Sequence, residues 1–507
     1  MSKKYVIGLD LGTTSAKAVL FTYDGHVVTD VEETYPLHHP HPSWAEQNPD
    51  QIVQAAEKVL GHIVTRYPAD DILAVGLSSA MHSLICVDQD GKALSPSIIW
   101  ADGRSQAQTE EIKTHAKDIY IQTGTPIHPM SPLTKLKWMK DNHYEPYMKA
   151  HKFLSIKEYL LWQWFGRTDV DYAIASATGL FDVHRLTWSS EALNIAGISE
   201  EQLSRPVSPT HTYQGLQSDV ARKIGLPLDL PIVIGSSDGP LANLGNGAIT
   251  DGDVAMTVGT SGAIRRFASQ PHVDALQETF CYAFTEDKWI LGGPTNNGGI
   301  VLRWLKELLG EQEVQLAEEK GLSPYDLLTK LAADVPAGAE NLLFLPYLNG
   351  ERAPIWDAQA KGSFIGLTLR HQKAHMVRAG LEGVIFSLYH VAQSLERLSG
   401  RSNHIYASGG FARSHLWLQI LADVFEQEVK VPESHQSSAW GAAWLAMMAL
   451  GEAPSLEAIK AFIPMRVSCS PNHEQHQTYK RLYPIYEQAV KALQPSFQAL
   501  HQSEHEV

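Results

Sequence analysis

Cysteine is scarce in this sequence: Cys86, Cys281 and Cys469 are the only three in 507 residues. They lie far apart, and an odd number cannot pair fully within one chain. A disulfide framework is therefore excluded, and a reducing, cytoplasmic setting is expected. Long apolar runs are also missing. No stretch of about 18 apolar residues occurs, so no transmembrane helix is expected. The start, Met1-Ser2-Lys3-Lys4-Tyr5, leads into a short strand with no signal core behind it. Positive charge is short as well, with 41 Lys and Arg against 56 Asp and Glu, a net charge of −15. Nucleic acid needs a basic face, so it is not expected as a partner; a nucleotide needs only a local pocket and stays open. The 23 histidines are scattered, and no His-x-x-Glu-His or Cys-x-x-Cys pattern gathers them into a metal site. Finally, no Gly-x-x-x-x-Gly-Lys-Ser/Thr loop exists and no Gly-x-Gly-x-x-Gly follows a strand, which counts against Walker ATPases, protein kinases and Rossmann dehydrogenases.

What is present is a large apolar core, with 44% hydrophobic and 19% charged residues. The chain opens with β-prone segments over 5–10, 18–23 and 26–32, the last two joined by the turn signal Asp24-Gly25. Asn48-Pro49-Asp50 starts a helix that runs to about residue 66, and further strands are expected over 72–77 and 84–88. Strands mixed with helices make an α/β protein. Near residue 250 the opening pattern has an echo: Asp10-Leu11-Gly12-Thr13-Thr14-Ser15 and Val258-Gly259-Thr260-Ser261-Gly262 each join two strands through a tight Gly-Thr turn. Two similar halves are the expectation. The Gly-rich stretch 239–252 marks their boundary, giving domains 1–246 and 247–455 and a helical extension 456–507 with a frayed tail over 501–507.

Both turns have the chemistry of phosphate loops. Glycine allows close backbone approach, and hydroxyls and turn N–H groups donate to phosphate oxygens. Lys17 adds charge, and Asp10 at a strand end can hold Mg²⁺ through water. Ser408-Gly409-Gly410 follows a strand and precedes a helix starting near Ser414, a usual passage for a nucleotide. Asp238, after the strand 231–235, sits among small residues that let a substrate reach its carboxylate. The helix 158–165 is rich in aromatics and is read as facing the core. Asp169, Asp171, Glu286 and Asp287 are read as surface charges.

These motifs, in this order, resemble the actin-like (ribonuclease H-like) ATPase superfamily. Two longer stretches narrow the resemblance. Met130-Ser131-Pro132-Leu133-Thr134-Lys135-Leu136-Lys137-Trp138 and Gly362-Ser363-Phe364-Ile365-Gly366-Leu367, continuing to His375 and Ala379-Gly380-Leu381-Glu382, look like the two signatures of the FGGY carbohydrate kinases, with Gly380 a small departure. The resemblance runs from about residue 5 to 450. It implies two actin-like domains with an active site in the cleft between them, ATP and Mg²⁺ as cofactors, and a small sugar or sugar acid as substrate. It leaves room for a homodimer.

By the same resemblance Asp238 is the catalytic base. Gly12, Thr13, Thr14, Ser15 and Lys17 form the first phosphate loop and Gly259 and Thr260 the second. Gly299 and Arg303 form a nucleotide-binding turn and helix start, Gly410 and Ser414 the adenosine site, and Met81 and His82 bind substrate. The stretches 78–85, 100–105 and Gly350-Glu351-Arg352-Ala353-Pro354-Ile355-Trp356 are most similar to gluconate kinases, whose substrate carboxylate needs a cation or good donors. His82 and Arg104 are the candidates, followed by Lys157 and His128. Xylulose and other polyol kinases are the nearest alternative, because they share Met-His where this chain has Ala80-Met81-His82-Ser83. An actin-like ATP-driven switch is an alternative of another class.

Overall fold

The computed structural model describes residues 4–116, 118–433 and 436–504. Residues 1–3 and the last part of the expected frayed tail, 505–507, lie outside the described residues. The chain forms two compact units: Met1–Ile249, Phe267–Leu291 and Gln436–Ile463 make the first, and Thr250–Arg266, Gly292–His435 and Pro464–Val507 the second.

The first unit is built on a six-stranded sheet in the order Thr212–Tyr213, Ile232–Ser237, Ile72–Ser79, Tyr5–Leu11, Ser15–Thr22, Val27–Thr34. The expected opening meander is there, with antiparallel pairing of its three strands. Ile72–Ser79 then runs parallel to Tyr5–Leu11, and Ile232–Ser237 parallel to Ile72–Ser79. The helix Pro49–Arg66 begins as its sequence indicates. Asn48 Oδ1 accepts from the N–H groups of Asp50 and Gln51, and Pro49 occupies the first turn, where its missing N–H does no harm. Its apolar side, including Ile52, Val59, Leu60 and Ile63, packs in one core with Ile7, Leu9 and Leu20.

The helix Ser437–Ala449 contributes to the unit's other core, where Trp440 and Trp444 meet Val6, Val19 and Phe21. A Cβ at Gly8 or Gly76 would collide with the carbonyls of Ala439 and Ala442, so glycine is what lets this helix lie directly on the sheet. Removing a buried tryptophan such as Trp444 destabilises by about 3–5 kcal/mol. The expected boundary at 246 puts this helix in the second domain, yet its core partners all belong to the first unit. The aromatic helix, Ile156–Phe165, faces the core as expected, with Tyr159, Leu160, Leu161 and Trp164 buried.

In the second unit Gly262–Ala268, Asp253–Val258, His404–Ser408, Val429–Pro432 and Met465–Cys469 are successive neighbours in one sheet. Asp253–Val258 pairs antiparallel with the strand after it and parallel with His404–Ser408. This repeats the arrangement of the first unit's opening strands and gives the sequence echo a structural basis. The expected extension from 456 is not a separate appendage. Met465–Cys469 completes the sheet edge, and the helix His473–Glu504 brings Tyr479, Tyr483 and Tyr486 against Phe386.

Candidate active site

In the first unit the three parallel strands carry Asp10, Ser78 and Asp238 at or just beyond their C-terminal ends, the usual ligand side of such a sheet. Ser78 Oγ donates to Asp10 Oδ1 at 2.6 Å. Burial first, and the like charge of Asp238 second, push the Asp10 carboxyl up to about 6 against the pull of Ser78 and Lys17. Asp10 and Asp238 thus share one electrostatic site. Asp238 is half-buried, opens the helix Asp238–Gly245, and accepts from the Gly239 N–H at 2.7 Å. The Asp-Gly turn orients the carboxylate and leaves it partly accessible.

Lys157 braces the strand that delivers Asp238. Its ammonium donates to the Ser236 carbonyl at 2.9 Å and pairs with Asp171 at 2.6 Å, and both side chains are buried. Burial holds it below the usual lysine range, opposed by Asp171. It is therefore committed inside the protein rather than available to a substrate acid. Asp169 and Asp171 are correspondingly not surface charges. Asp171 is fully buried, and Asp169 is held by the Tyr213 hydroxyl at 2.8 Å and Arg205 at 2.9 Å. Glu286 and Asp287 are exposed as expected.

The first loop is held from three sides. The Tyr35 hydroxyl donates to Gly12 O at 2.5 Å, Gln47 Nε2 to Thr13 O at 2.6 Å, and Trp100 Nε1 to Thr13 Oγ1 at 3.0 Å. Thr14 is exposed at the tip. Ser15 and Lys17 turn sideways: Ser15 Oγ donates to Glu32 at 2.6 Å, and Lys17 Nζ lies 3.4 Å from Asp30 and 3.8 Å from Glu32. Thr13 and Thr14 are thus the better placed members of the loop.

Met81 is half-buried and His82 buried. His82 adopts a left-handed backbone with φ 70°, and its Nδ1 is 2.7 Å from the Ala177 carbonyl. Beneath it Lys135, fully buried, donates to the main-chain carbonyls of His82, Ile98 and Ile99 at 2.6, 3.2 and 2.9 Å. Burial pushes this ammonium down to about 7, with Asp102 opposing. Lys135, part of the first signature stretch, thus clamps the loop at His82 to the segment at 98–99. His128 is half-buried, and its Nδ1 accepts from the Met130 N–H at 3.1 Å.

Arg104 differs from its expected role. Its side chain has no exposed surface; Nε and Nη2 each contact Asp102 at 2.8 Å, Nη2 contacts Glu46 at 2.5 Å, and the guanidinium lies 3.7 Å from the centre of the Trp44 ring. Burial alone would lower its pKa, but Asp102 and Glu46 hold it above the usual arginine range. Two carboxylates already match its one charge. Asp102 also accepts from the Ala45 N–H at 2.7 Å, so the cluster ties the loop at 43–46 to the loop at 99–105. This position braces the fold and does not suit a direct contact with a substrate acid.

In the second unit the Gly259–Thr260 turn rests on the start of the helix Gly299–Leu309. Gly298 N donates to Thr260 O at 3.1 Å and Gly299 N to Gly259 O at 2.7 Å. A Cβ at Gly299 would come within 2.7 Å of the Gly259 carbonyl, so only glycine fits. Around a Cβ built on Gly259 or Gly410, by contrast, nothing lies within 4 Å. Packing does not require these two glycines, and both line a cavity of about 450 Å³ together with Thr260, Gly299, Arg303, Tyr325, Arg413, Ser414 and Trp417. The cavity therefore gathers every second-half residue expected at the nucleotide. Ser414 caps the helix His415–Phe425, its Oγ accepting from the Trp417 N–H at 3.3 Å. Arg303 is exposed, and so is Arg413, which sequence reasoning passed over although it adjoins Ser414. A concave pocket with two arginines, open glycines and helix starts is suited to phosphate and nucleoside.

The FGGY family of carbohydrate kinases matches the chain with its N-terminal domain over residues 5–245 and its C-terminal domain over residues 254–450. A gluconokinase of Bacillus subtilis is 45% identical over 485 residues, covering 95% of this chain and 94% of that protein. A xylulose kinase of Staphylococcus epidermidis is 32% identical over 499 residues, covering 97% of each. The crystal structure of gluconate kinase from Lactobacillus acidophilus matches with a TM-score of 0.94 at 38% identity, covering 98% of this chain and 100% of that one. The fold is the two-domain α/β fold of these kinases, actin-like in each half. With two matched domains and both signature stretches in place, the chain belongs to the FGGY family of carbohydrate kinases.

Proposed function

We propose that this chain transfers the γ-phosphoryl group of ATP to O6 of D-gluconate, with Asp238 as general base. The observation that carries the reaction is the half-buried Asp238 carboxylate at the ligand end of the first sheet, where Asp10 stands near the end of the strand on the other side of Ile72–Ser79. The 45% identity to a gluconokinase over 95% of the chain supports the substrate.

Phosphoryl transfer is mostly positioning and charge neutralisation. As the acceptor oxygen bonds to phosphorus and the bond to the ADP oxygen breaks, Asp238 takes the hydroxyl proton and later releases it to water. Gly12, Thr13 and Thr14 meet the transferred phosphate. Gly259 and Thr260 meet the remaining phosphates, with Gly299, Arg303, Gly410 and Ser414 around the rest of the nucleotide. Mg²⁺ fits this donor set. Asp10 is a half-buried carboxylate pressed by a second one, and among the described residues no group of three or more His, Cys, Asp or Glu forms a cage. That suits an ion held by water and phosphates, with Asp10 as its protein partner. When bound, Mg²⁺ neutralises phosphate charge. With Arg104 and Lys157 committed inside the protein, His82 and the half-buried His128 remain the candidates for the substrate carboxylate, and Met81 stays with His82 at the substrate. The setting proposed is the cytoplasm; among the described residues no helix is long and apolar enough to cross a membrane.

A coupled ADP-release assay over gluconate, xylulose, glycerol and erythritol, with and without Mg²⁺, tests the reading. Gluconate is expected to give the highest kcat/KM, and only with Mg²⁺. A preference for xylulose, the substrate named for the 32% identical relative, would replace gluconate and leave the kinase chemistry standing.

A further inference from the structure

The Gly350–Trp356 stretch resembles gluconate kinases, which suggests a place at the sugar. Its contacts lead elsewhere. Glu351 is 2% exposed and holds three donors: Oε1 accepts from the N–H of Asn296 at 2.5 Å and of Arg352 at 2.8 Å, and Oε2 accepts from Asn297 Nδ2 at 3.1 Å. Asn297 is fully buried, and its Nδ2 also donates to Gly350 O at 2.7 Å while its Oδ1 accepts from the Asn349 N–H at 3.2 Å. Arg352 Nη2 donates to Thr295 O at 3.0 Å. The segment 349–352 is thereby laced to 295–297, immediately before Gly298 and Gly299, whose N–H groups hold the carbonyls of Thr260 and Gly259.

We propose that Glu351 is a positioning residue for the second phosphate loop, acting through Asn296 and Asn297 on the Gly298-Gly299 turn that carries Gly259 and Thr260. The proposal rests on the reading of that loop as a phosphate site. Carboxylate chemistry matters here because all three partners are donors. A glutamine would face one of them with its own NH₂, and Asn297 cannot flip without losing its contacts to Gly350 and Asn349. Burial pushes the Glu351 carboxyl up to about 7, against the pull of these same donors and of Arg352.

The experiment uses the full chain with E351Q, N297A and the double variant, alongside Gly259→Ala as a direct probe of the loop. ADP affinity is measured by calorimetry, KM for ATP and gluconate by steady-state kinetics, and folding by thermal melting. E351Q is expected to weaken ADP binding and raise KM for ATP by about tenfold or more. KM for gluconate should stay within about twofold, and the double variant should be no worse than the poorer single one, as for residues in one chain of contacts. A Glu351 role in stability alone would lower the melting temperature without this split between the two KM values. If E351Q leaves ATP and ADP unaffected while Gly259→Ala weakens both, the positioning role is overturned and the phosphate loop stands. If Gly259→Ala has no effect either, the loop reading itself fails and takes the proposal with it.

Discussion

Two kinds of glycine in the cavity proposed for the nucleotide allow a sharp test. Gly259 and Gly410 have open space where a Cβ would go and are not among the residues with positive φ. Alanine at either position should fold as well as glycine or better, since it restricts the unfolded chain by about 0.4–1 kcal/mol. On the proposed reading, the methyl group then occupies volume that the nucleotide fills. Inserting a methyl into a packed contact costs about 1–3 kcal/mol, which is about 5–150-fold in affinity. Gly299→Ala should behave differently. Its Cβ would meet the Gly259 carbonyl at 2.7 Å, a backbone atom that cannot swing aside, so stability and ATP affinity should fall together. Calorimetric melting and ADP titration on the three variants separate these outcomes. Wild-type ADP affinity in both Gly259→Ala and Gly410→Ala would show that the open space is not nucleotide space. A large loss of stability in either would show that packing had been misjudged.

Asp238→Asn or Asp238→Ala is expected to lower kcat by about 10²–10⁴-fold while ADP affinity survives in calorimetry; near-normal turnover would remove Asp238 as the base. Arg104→Met leaves the buried Asp102 and the half-buried Glu46 without their cation and should destabilise by about 3–5 kcal/mol in denaturant unfolding, whereas a purely substrate-binding arginine would raise KM for gluconate with the melting curve unmoved. Lys135 supplies a pH signature. Its folded pKa, about 7, lies below the unfolded value, so between these two values the unfolded chain binds the extra proton and stability rises with pH. Lys135→Met should lose that slope, worth about 1.4 kcal/mol per pH unit, when wild type and variant are unfolded in urea at pH 7 and 8.5. Parallel pH profiles would show that Lys135 does not titrate there.

The opening meander and the helix Pro49–Arg66 were legible because their signals are local: alternation, an Asp-Gly turn, and a proline in the first turn after Asn48. That the second-half candidates share one cavity was legible for a related reason, as Gly259, Gly299, Gly410 and Ser414 stand at turns and helix starts whose geometry follows from neighbours in the chain. What escaped was long-range. Nothing near Arg104 announces that Glu46 and Trp44 will close over it, so a guanidinium in a polar stretch looked available. Asp171 reads as a surface charge and Lys157 as a candidate for the substrate carboxylate, and only the fold makes them a buried pair. Lys135 left a faint trace, because it stands four residues before Met139 on the buried stripe of the helix Pro132–Asp141, a place where a lysine must find main-chain acceptors. Membership of the units was the least legible, since packing rather than chain order assigns the helix Ser437–Ala449.

That helix sets a timetable for synthesis. The strands holding Val6, Val19 and Phe21 are made first, yet Trp440 and Trp444, with which they share a core, follow more than 400 residues later. At about 5–20 residues per second the ribosome leaves this apolar face uncovered for roughly 20 seconds or more. The first unit can therefore close only when translation is nearly finished, and chaperones that shield apolar surface have that interval in which to act. A chain cut at a linear boundary such as residue 246 would keep the same face bare for good, and is expected to collect in the insoluble fraction unless the segment 436–463 is supplied to it.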